Sequence, residues 1–195
     1  MRFAVLAGIL SLALAACGGG GDPAASPTFA ELRAAYDALE DRIFPGSRTH
    51  LEENLSLIDS DYEGTAVLAY YQDGEDFTEA GAARVSLSFG NVGLALGVVG
   101  LVTDIRLESA RPVAGRLGIG ANPLSGHDFD ARVSGDLVIA GETVEVEGRI
   151  DGSFYTPSGA SEEGGFAYGN ISFSAGPGSH RFAGTFAVER VRPGS

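Results

Sequence analysis

Residues able to do chemistry are sparse and scattered in this chain. The three histidines, His50, His127 and His180, are far apart, with no i,i+4 pair and no cysteine beside them. Zinc sites draw on closely spaced His and Cys ligands, so a shared metal site is disfavoured. Glu162 and Glu163 are adjacent carboxylates that invite comparison with an acid–base pair. On a strand such neighbours point to opposite faces, and on a loop both stand in water, so no paired proton transfer follows. Asp59-Ser60-Asp61 and Asp73-Gly74-Glu75-Asp76 are acidic turns without the twelve-residue spacing of an EF-hand. A G-x-S-x-G elbow, an H-E-x-x-H helix and a phosphate-binding P-loop are absent. The residues therefore point to a chain with neither catalysis nor cofactor.

Cys17 is the single cysteine, so no intramolecular disulfide can form. It follows Arg2 and an apolar run from Phe3 that is too short to span a bilayer and ends in small residues, the pattern of a cleaved secretory signal. Leu14-Ala15-Ala16-Cys17 resembles the lipobox of bacterial lipoproteins. In that family the cysteine is lipidated and becomes the mature N-terminus. The resemblance therefore implies a signal peptide over residues 1–16 and a lipid on Cys17. Gly18 follows where aspartate would redirect sorting, which resembles the pattern of outer-membrane lipoproteins, facing the periplasm or the cell surface. Residues 17–27, rich in Gly, Ala, Ser and Pro, form a flexible lipidated tether. The chain carries 26 acidic and 13 basic residues, net −13, and every basic residue is arginine. Such a surface binds nucleic acid poorly and is repelled by anionic membrane surfaces, so attachment to a membrane falls to the lipid.

The elements that must position any site are legible from a change of period. Over residues 28–46, Phe29, Leu32, Tyr36, Leu39 and Ile43 recur at spacings of three or four and make one apolar stripe of an amphipathic helix. Ser26 or Thr28 can cap its start, Pro27 suits its first turn, and Pro45-Gly46 stops it. The stripe is expected to dock on the chain's own fold. Beyond about Leu57 the period becomes two. Val85, Leu87 and Phe89 alternate with Arg84, Ser86 and Ser88. Phe129, Val133, Leu137 and Ile139 share one face of a run that Gly141-Glu142 turns into a second run, with Val144, Val146, Ile150 and Phe154 on one face. The opposite faces carry Asp130, Arg132, Glu145, Glu147, Arg149 and Asp151, so the pair reads as a long hairpin with one wet and one dry side. Residues 62–71, 92–99 and 105–119 supply further strands, and Phe182, Phe186 and Val188 mark a last one.

The expected fold over residues 57–192 is mainly β: a single soluble eight-stranded antiparallel up-and-down barrel with one N-terminal amphipathic helix. A membrane-spanning barrel would turn an apolar face to lipid, whereas this polar face must be the outer one. Glycines on the inner face, Gly135, Gly148, Gly152 and Gly184, mark bends of a closing sheet. Residues 152–169, GSFYTPSGASEEGGFAYG, then read as a hairpin with Phe154 and Phe166 both pointing inward and Thr156 to Glu163 looping at one mouth.

The C-terminal half resembles a known family. Gly152-Ser153-Phe154-Tyr155, then Ala160 and Glu162-Glu163, then Gly164-Gly165-Phe166, and finally Gly184-Thr185-Phe186 with Arg190, resemble the barrel domain of transferrin-binding protein B and its small lipoprotein relatives. Thr156 departs from the family's glycine after Phe-Tyr, and the chain has room for one barrel without the family's handle domain. The resemblance implies a lipid-anchored barrel used as a non-catalytic binding module. Its partner would be a protein or a small ligand such as haem or an iron carrier. On this reading Tyr155, Thr156, Ser158, Glu162 and Glu163, at the mouth loop, are the binding candidates, with the acidic turn from Asp73 to Thr78 next. The alternative is a structural lipoprotein of the envelope that captures no nutrient. Tyr70, Tyr71, Tyr155 and Tyr168 are either a rim or core pairs.

Overall fold

The computed structural model describes residues 26–44, 49–50, 60–74, 76–92, 95–123, 128–156, 165–176 and 179–191. The helical stripe forms α1 (Phe29–Ile43), followed by the two-residue β1 (Thr49–His50). The period-two runs form β2 (Ser60–Gln72), β3 (Glu79–Val92), β4 (Ala95–Leu107), β5 (Val113–Pro123), β6 (Asp128–Ile139), β7 (Glu142–Thr156), β8 (Phe166–Ala175) and β9 (His180–Arg190). Consecutive strands from β2 to β9 pair antiparallel, and β9 returns to pair with β2. Eight strands thus close into an up-and-down barrel with no free edge among them. β1 lies beside the end of β7, with Thr49 opposite Thr156.

Three connections differ from the sequence reading. The run over 92–99 straddles the end of β3 and the start of β4. The run over 105–119 is broken by a turn after Leu107, where Ala110 holds φ 59° and donates its N–H to the Leu107 carbonyl at 3.0 Å. Pro112 has no N–H for a ladder, and apolar Leu107 and Val113 on either side hide the break from a periodicity count. Between β6 and β7 the two-residue loop is Ala140-Gly141, one position before the expected turn. Both residues have positive φ, 52° and 90°, as a type I′ hairpin requires. The facing is as expected: Val133 and Val146 are buried, Arg132 and Glu145 exposed.

Rings fill the interior. Near one mouth Tyr62, Phe89, Phe129, Phe154 and Phe186 contact one another at centroid distances from 4.8 to 6.0 Å. Toward the other, Phe173 stacks on Phe182 at 4.7 Å, and Phe182 meets Tyr70 at 4.9 Å. At the β2–β9 seam the strands approach too closely for a side chain. A Cβ on Gly64 would lie 2.1 Å from the Ala187 carbonyl oxygen, and one on Gly184 only 1.9 Å from that of Val67. Glycine is what permits that coiling.

The helix lies outside the barrel, against β2, β3 and β9. Thr28 caps it, its hydroxyl accepting from the Glu31 N–H while the Glu31 carboxylate accepts from the Thr28 N–H at 2.7 Å. That bonding holds the Glu31 carboxyl below its ordinary value. Leu32, Tyr36 and Ile43 are buried, and Tyr36 and Ile43 share a second core with Tyr155, Phe166 and Ala187. This corrects the inward placing of Phe166. The register pairs Phe154 with Ala167 and Tyr155 with Phe166. Directly opposite residues share a face, so Phe154 enters the barrel while Phe166 stands on the outer wall beneath the helix.

Candidate functional site

With the interior occupied by rings, the surfaces open to a ligand are the two mouths and the outer wall. The two loops singled out from sequence lie at opposite mouths, because 156–165 joins the far ends of β7 and β8 while 73–78 joins β2 to β3 at the other end. The second mouth is closed by a polar plug. The Tyr70 hydroxyl lies 2.7 Å from His180 Nδ1, and Arg111 Nη1 donates to Gln72 Oε1 at 2.7 Å and reaches the Tyr70 hydroxyl at 3.4 Å. Glu79 stands 3.8 Å from Arg111 and accepts from the Ser109 N–H at 2.9 Å. Burial raises the Tyr70 phenol even against the pull of the Arg111 guanidinium. His180 is thus half-buried and bonded, not a bare surface histidine.

The expected binding residues divide. Tyr155 is 9% exposed and belongs to the core between helix and barrel, its ring 6.5 Å from that of Tyr168 in an edge-on contact. The covering helix, which the hairpin sequence alone does not reveal, draws it there. Thr156 is half-buried and paired with Thr49. Ser158, Glu162 and Glu163 lie outside the described residues, as do Cys17 and His127. Tyr71 is on the outer wall with Arg181 stacked 4.2 Å over its ring and Phe77 edge-on to it.

Beside Tyr155 the outer wall of β6, β7 and β8 holds a groove of about 690 Å³. One end is aromatic, formed by Tyr155 and Tyr168, and Phe44 of the helix end packs edge-on to Tyr168 at 4.8 Å. The other end is acidic. Asp128 accepts from the Ser153 hydroxyl at 2.5 Å, Asp151 accepts from the Asn170 amide at 3.1 Å, and Asp130 pairs with Arg149. The hairpin register sets Asp130 directly opposite Asp151 and Arg132 directly opposite Arg149. Like charges facing each other across a ladder are unfavourable, and the diagonal Arg149–Asp130 contact offsets part of this. Counting outward from the turn would have exposed this pairing in the sequence, where these residues read only as a wet face. A second cleft, about 790 Å³, runs between the helix and β2–β4, with Leu32, Ala35, Val85 and Leu101 among its walls.

Among the described residues no three His, Cys, Asp or Glu side chains are grouped so as to hold a metal ion. No described helix is long and apolar enough to cross a membrane. No protein-family model, curated protein or solved structure matches the chain. The resemblance to the transferrin-binding protein B barrel therefore rests on the residues quoted from the sequence alone.

Proposed function

We propose that this chain is a non-catalytic binding module of the outer membrane, held there by a lipid on Cys17. Its working surface is the groove on β6, β7 and β8, where it engages a protein or a small ligand. One observation carries this reading: aromatic rings occupy the barrel interior, while the outer wall brings a half-buried tyrosine, hydrogen-bonding carboxylates and an amide into one concavity. Concave sites with an apolar wall and a few convergent polar groups are where ligands dock. A haem or other iron carrier would bind on the outside or at a mouth, since nothing bulky enters the packed interior.

Two measurements test it. Labelled palmitate should be incorporated by the wild type and not by Cys17→Ser, which should leave the membrane fraction. The immobilised protein should retain a partner from envelope extract, or take up haem by absorbance titration, and lose it in the Asp130→Asn/Asp151→Asn variant. Retention that ignores the groove substitutions, or capture of nothing, would favour the structural role in the envelope.

A further inference from the structure

We infer that the cleft between the helix and β2, β3 and β4 is a second binding site, and that it takes an apolar α-amino acid in its zwitterionic form. Arg84 receives the carboxylate, Glu63 the ammonium, and the side chain lies between helix and wall. The site owes nothing to the groove on β6, β7 and β8 or to the lipid anchor.

The floor of the cleft leaves a hydrogen bond unmade. Thr65 lines it at 5% exposure, and its hydroxyl has no hydrogen-bond partner. A buried hydroxyl ordinarily finds one, because leaving it unpaired costs stability. Valine would fill the same space under the helix without that cost. An acceptor brought into the cleft is what the hydroxyl lacks.

The charges beside that hydroxyl are set for a ligand rather than for each other. The ladder places Thr65 opposite Arg84 and Arg84 opposite Thr103; in the adjoining row Glu63 stands opposite Ser86 and Ser86 opposite Leu101. Glu63 and Arg84 are therefore diagonal neighbours, about 7–8 Å apart at their Cβ atoms and within reach of two long side chains. Yet they form no ion pair, and Glu63 has no ionic or hydrogen-bond partner among the described residues. Arg84 meets Asp104 at 3.6 Å, longer than a hydrogen bond, and stays more than half exposed. Glu31, the other carboxylate in the wall, is committed to the Thr28 cap. An α-amino acid carries both charges on one carbon, so it fits between Arg84 and Glu63 with a charge-assisted bond to each. The Thr65 hydroxyl then donates to the carboxylate. A purely anionic ligand would face Glu63 and Asp104 uncompensated, and a purely cationic one would face Arg84.

The rest of the wall is apolar. Leu32 and Ala35 come from the helix and Leu101 from β4. Leu101 is 40% exposed, one of few large apolar side chains left open in a molecule that packs most of them. A branched aliphatic side chain laid against it takes apolar surface of both out of water. The cleft, about 790 Å³, admits an amino acid and leaves room to extend it.

The test is equilibrium dialysis of the purified full chain with labelled leucine. Isocaproate, which lacks the ammonium, and isoamylamine, which lacks the carboxylate, serve as competitors, and circular dichroism shows that each variant is folded. Leucine should bind, and about tenfold more tightly than either competitor, since each forfeits one charge-assisted contact. Glu63→Gln and Arg84→Gln should each weaken leucine by about the same factor. Thr65→Val should melt no lower than the wild type, because the fold makes no use of the hydroxyl, and should still weaken leucine. The groove variant Asp130→Asn/Asp151→Asn should bind leucine as the wild type does, which separates the fate of this site from that of the groove. No leucine retained at its solubility limit would overturn the site. Isocaproate competing as well as leucine itself would overturn the zwitterion in favour of a simple carboxylate. A lowered melting temperature for Thr65→Val would show that the fold does use the hydroxyl, and loss of leucine in the groove variant would place the ligand elsewhere; either result overturns the assignment.

Discussion

The hydroxyls of Tyr36 and Thr185 lie 2.6 Å apart, joining the middle of the helix to the strand that closes the barrel. Tyr36 is 2% exposed, and its ring is part of the core between the helix and the wall. Tyr36→Ala should therefore cost about 3 kcal/mol. Tyr36→Phe, which keeps the ring and forfeits the hydroxyl's bonds to Thr185, Glu40 and Tyr168, should cost about 1 kcal/mol. Chemical denaturation of the two variants separates packing from hydrogen bonding. A Tyr36→Ala protein as stable as the wild type would show that the helix contributes nothing to the fold.

Val146 is fully buried in the barrel, while Glu145 beside it is exposed. Val146→Asp places an unpaired carboxylate among apolar side chains and should destabilise by several kcal/mol, roughly 3 or more. Glu145→Lys should change stability by less than about 0.5 kcal/mol. Thermal melts of the pair check the facing of the whole β6–β7 hairpin, and equal shifts would invert it.

Ala140 occupies the left-handed region at the tip of that hairpin, where a Cβ is unfavourable. Asn-Gly is the preferred pair for this turn, so Ala140→Asn should stabilise the protein by about 0.5–1 kcal/mol. A lower melting temperature for this exposed substitution would contradict the turn geometry.

Burial raises the phenols of Tyr36, Tyr62 and Tyr70 above the ordinary tyrosine value. Above about pH 10 the unfolded chain loses these protons while the folded chain keeps them. The unfolded state then binds fewer protons, so stability is whole below about pH 10 and falls as pH rises beyond it. Ultraviolet titration should show a late class of phenols that ionises together with loss of the barrel's circular dichroism, and Tyr62→Phe should shrink that class. Ionisation of these three well before unfolding would mean that water reaches them in the folded state.

Periodicity made most of this architecture legible. Val85-Leu87-Phe89 and the two faces of β6 and β7 carry period two so cleanly that inward and outward residues follow directly, and Leu32, Tyr36 and Ile43 mark the buried side of the helix. Two kinds of information were missing. Leu107 and Val113 are both apolar, so the turn between them leaves no trace in a hydrophobic count. Tyr155 and Phe166 sit on strand faces that alternation assigns to solvent or core with equal ease, and only the helix laid across them decides the matter. The groove stood between these cases. Each of its acidic residues was visible as part of a wet face, but its meaning comes from the cross-strand partner, which depends on the residue at which the hairpin turns.

Seven of the barrel's eight pairings join strands that are consecutive in sequence, and the eighth joins β2 to β9. This has a consequence for a chain that emerges from the ribosome N-terminus first. Each hairpin can form as soon as its second strand appears, yet one edge of β2 stays open until β9 arrives more than a hundred residues later. The helix, which rests on both sides of that seam, waits equally long for half of its footing. The first part of the domain to be synthesised is thus among the last to be completed. A chain stopped anywhere before β9 presents an unpaired strand and an uncovered helix face together, the features that invite chaperones and proteases.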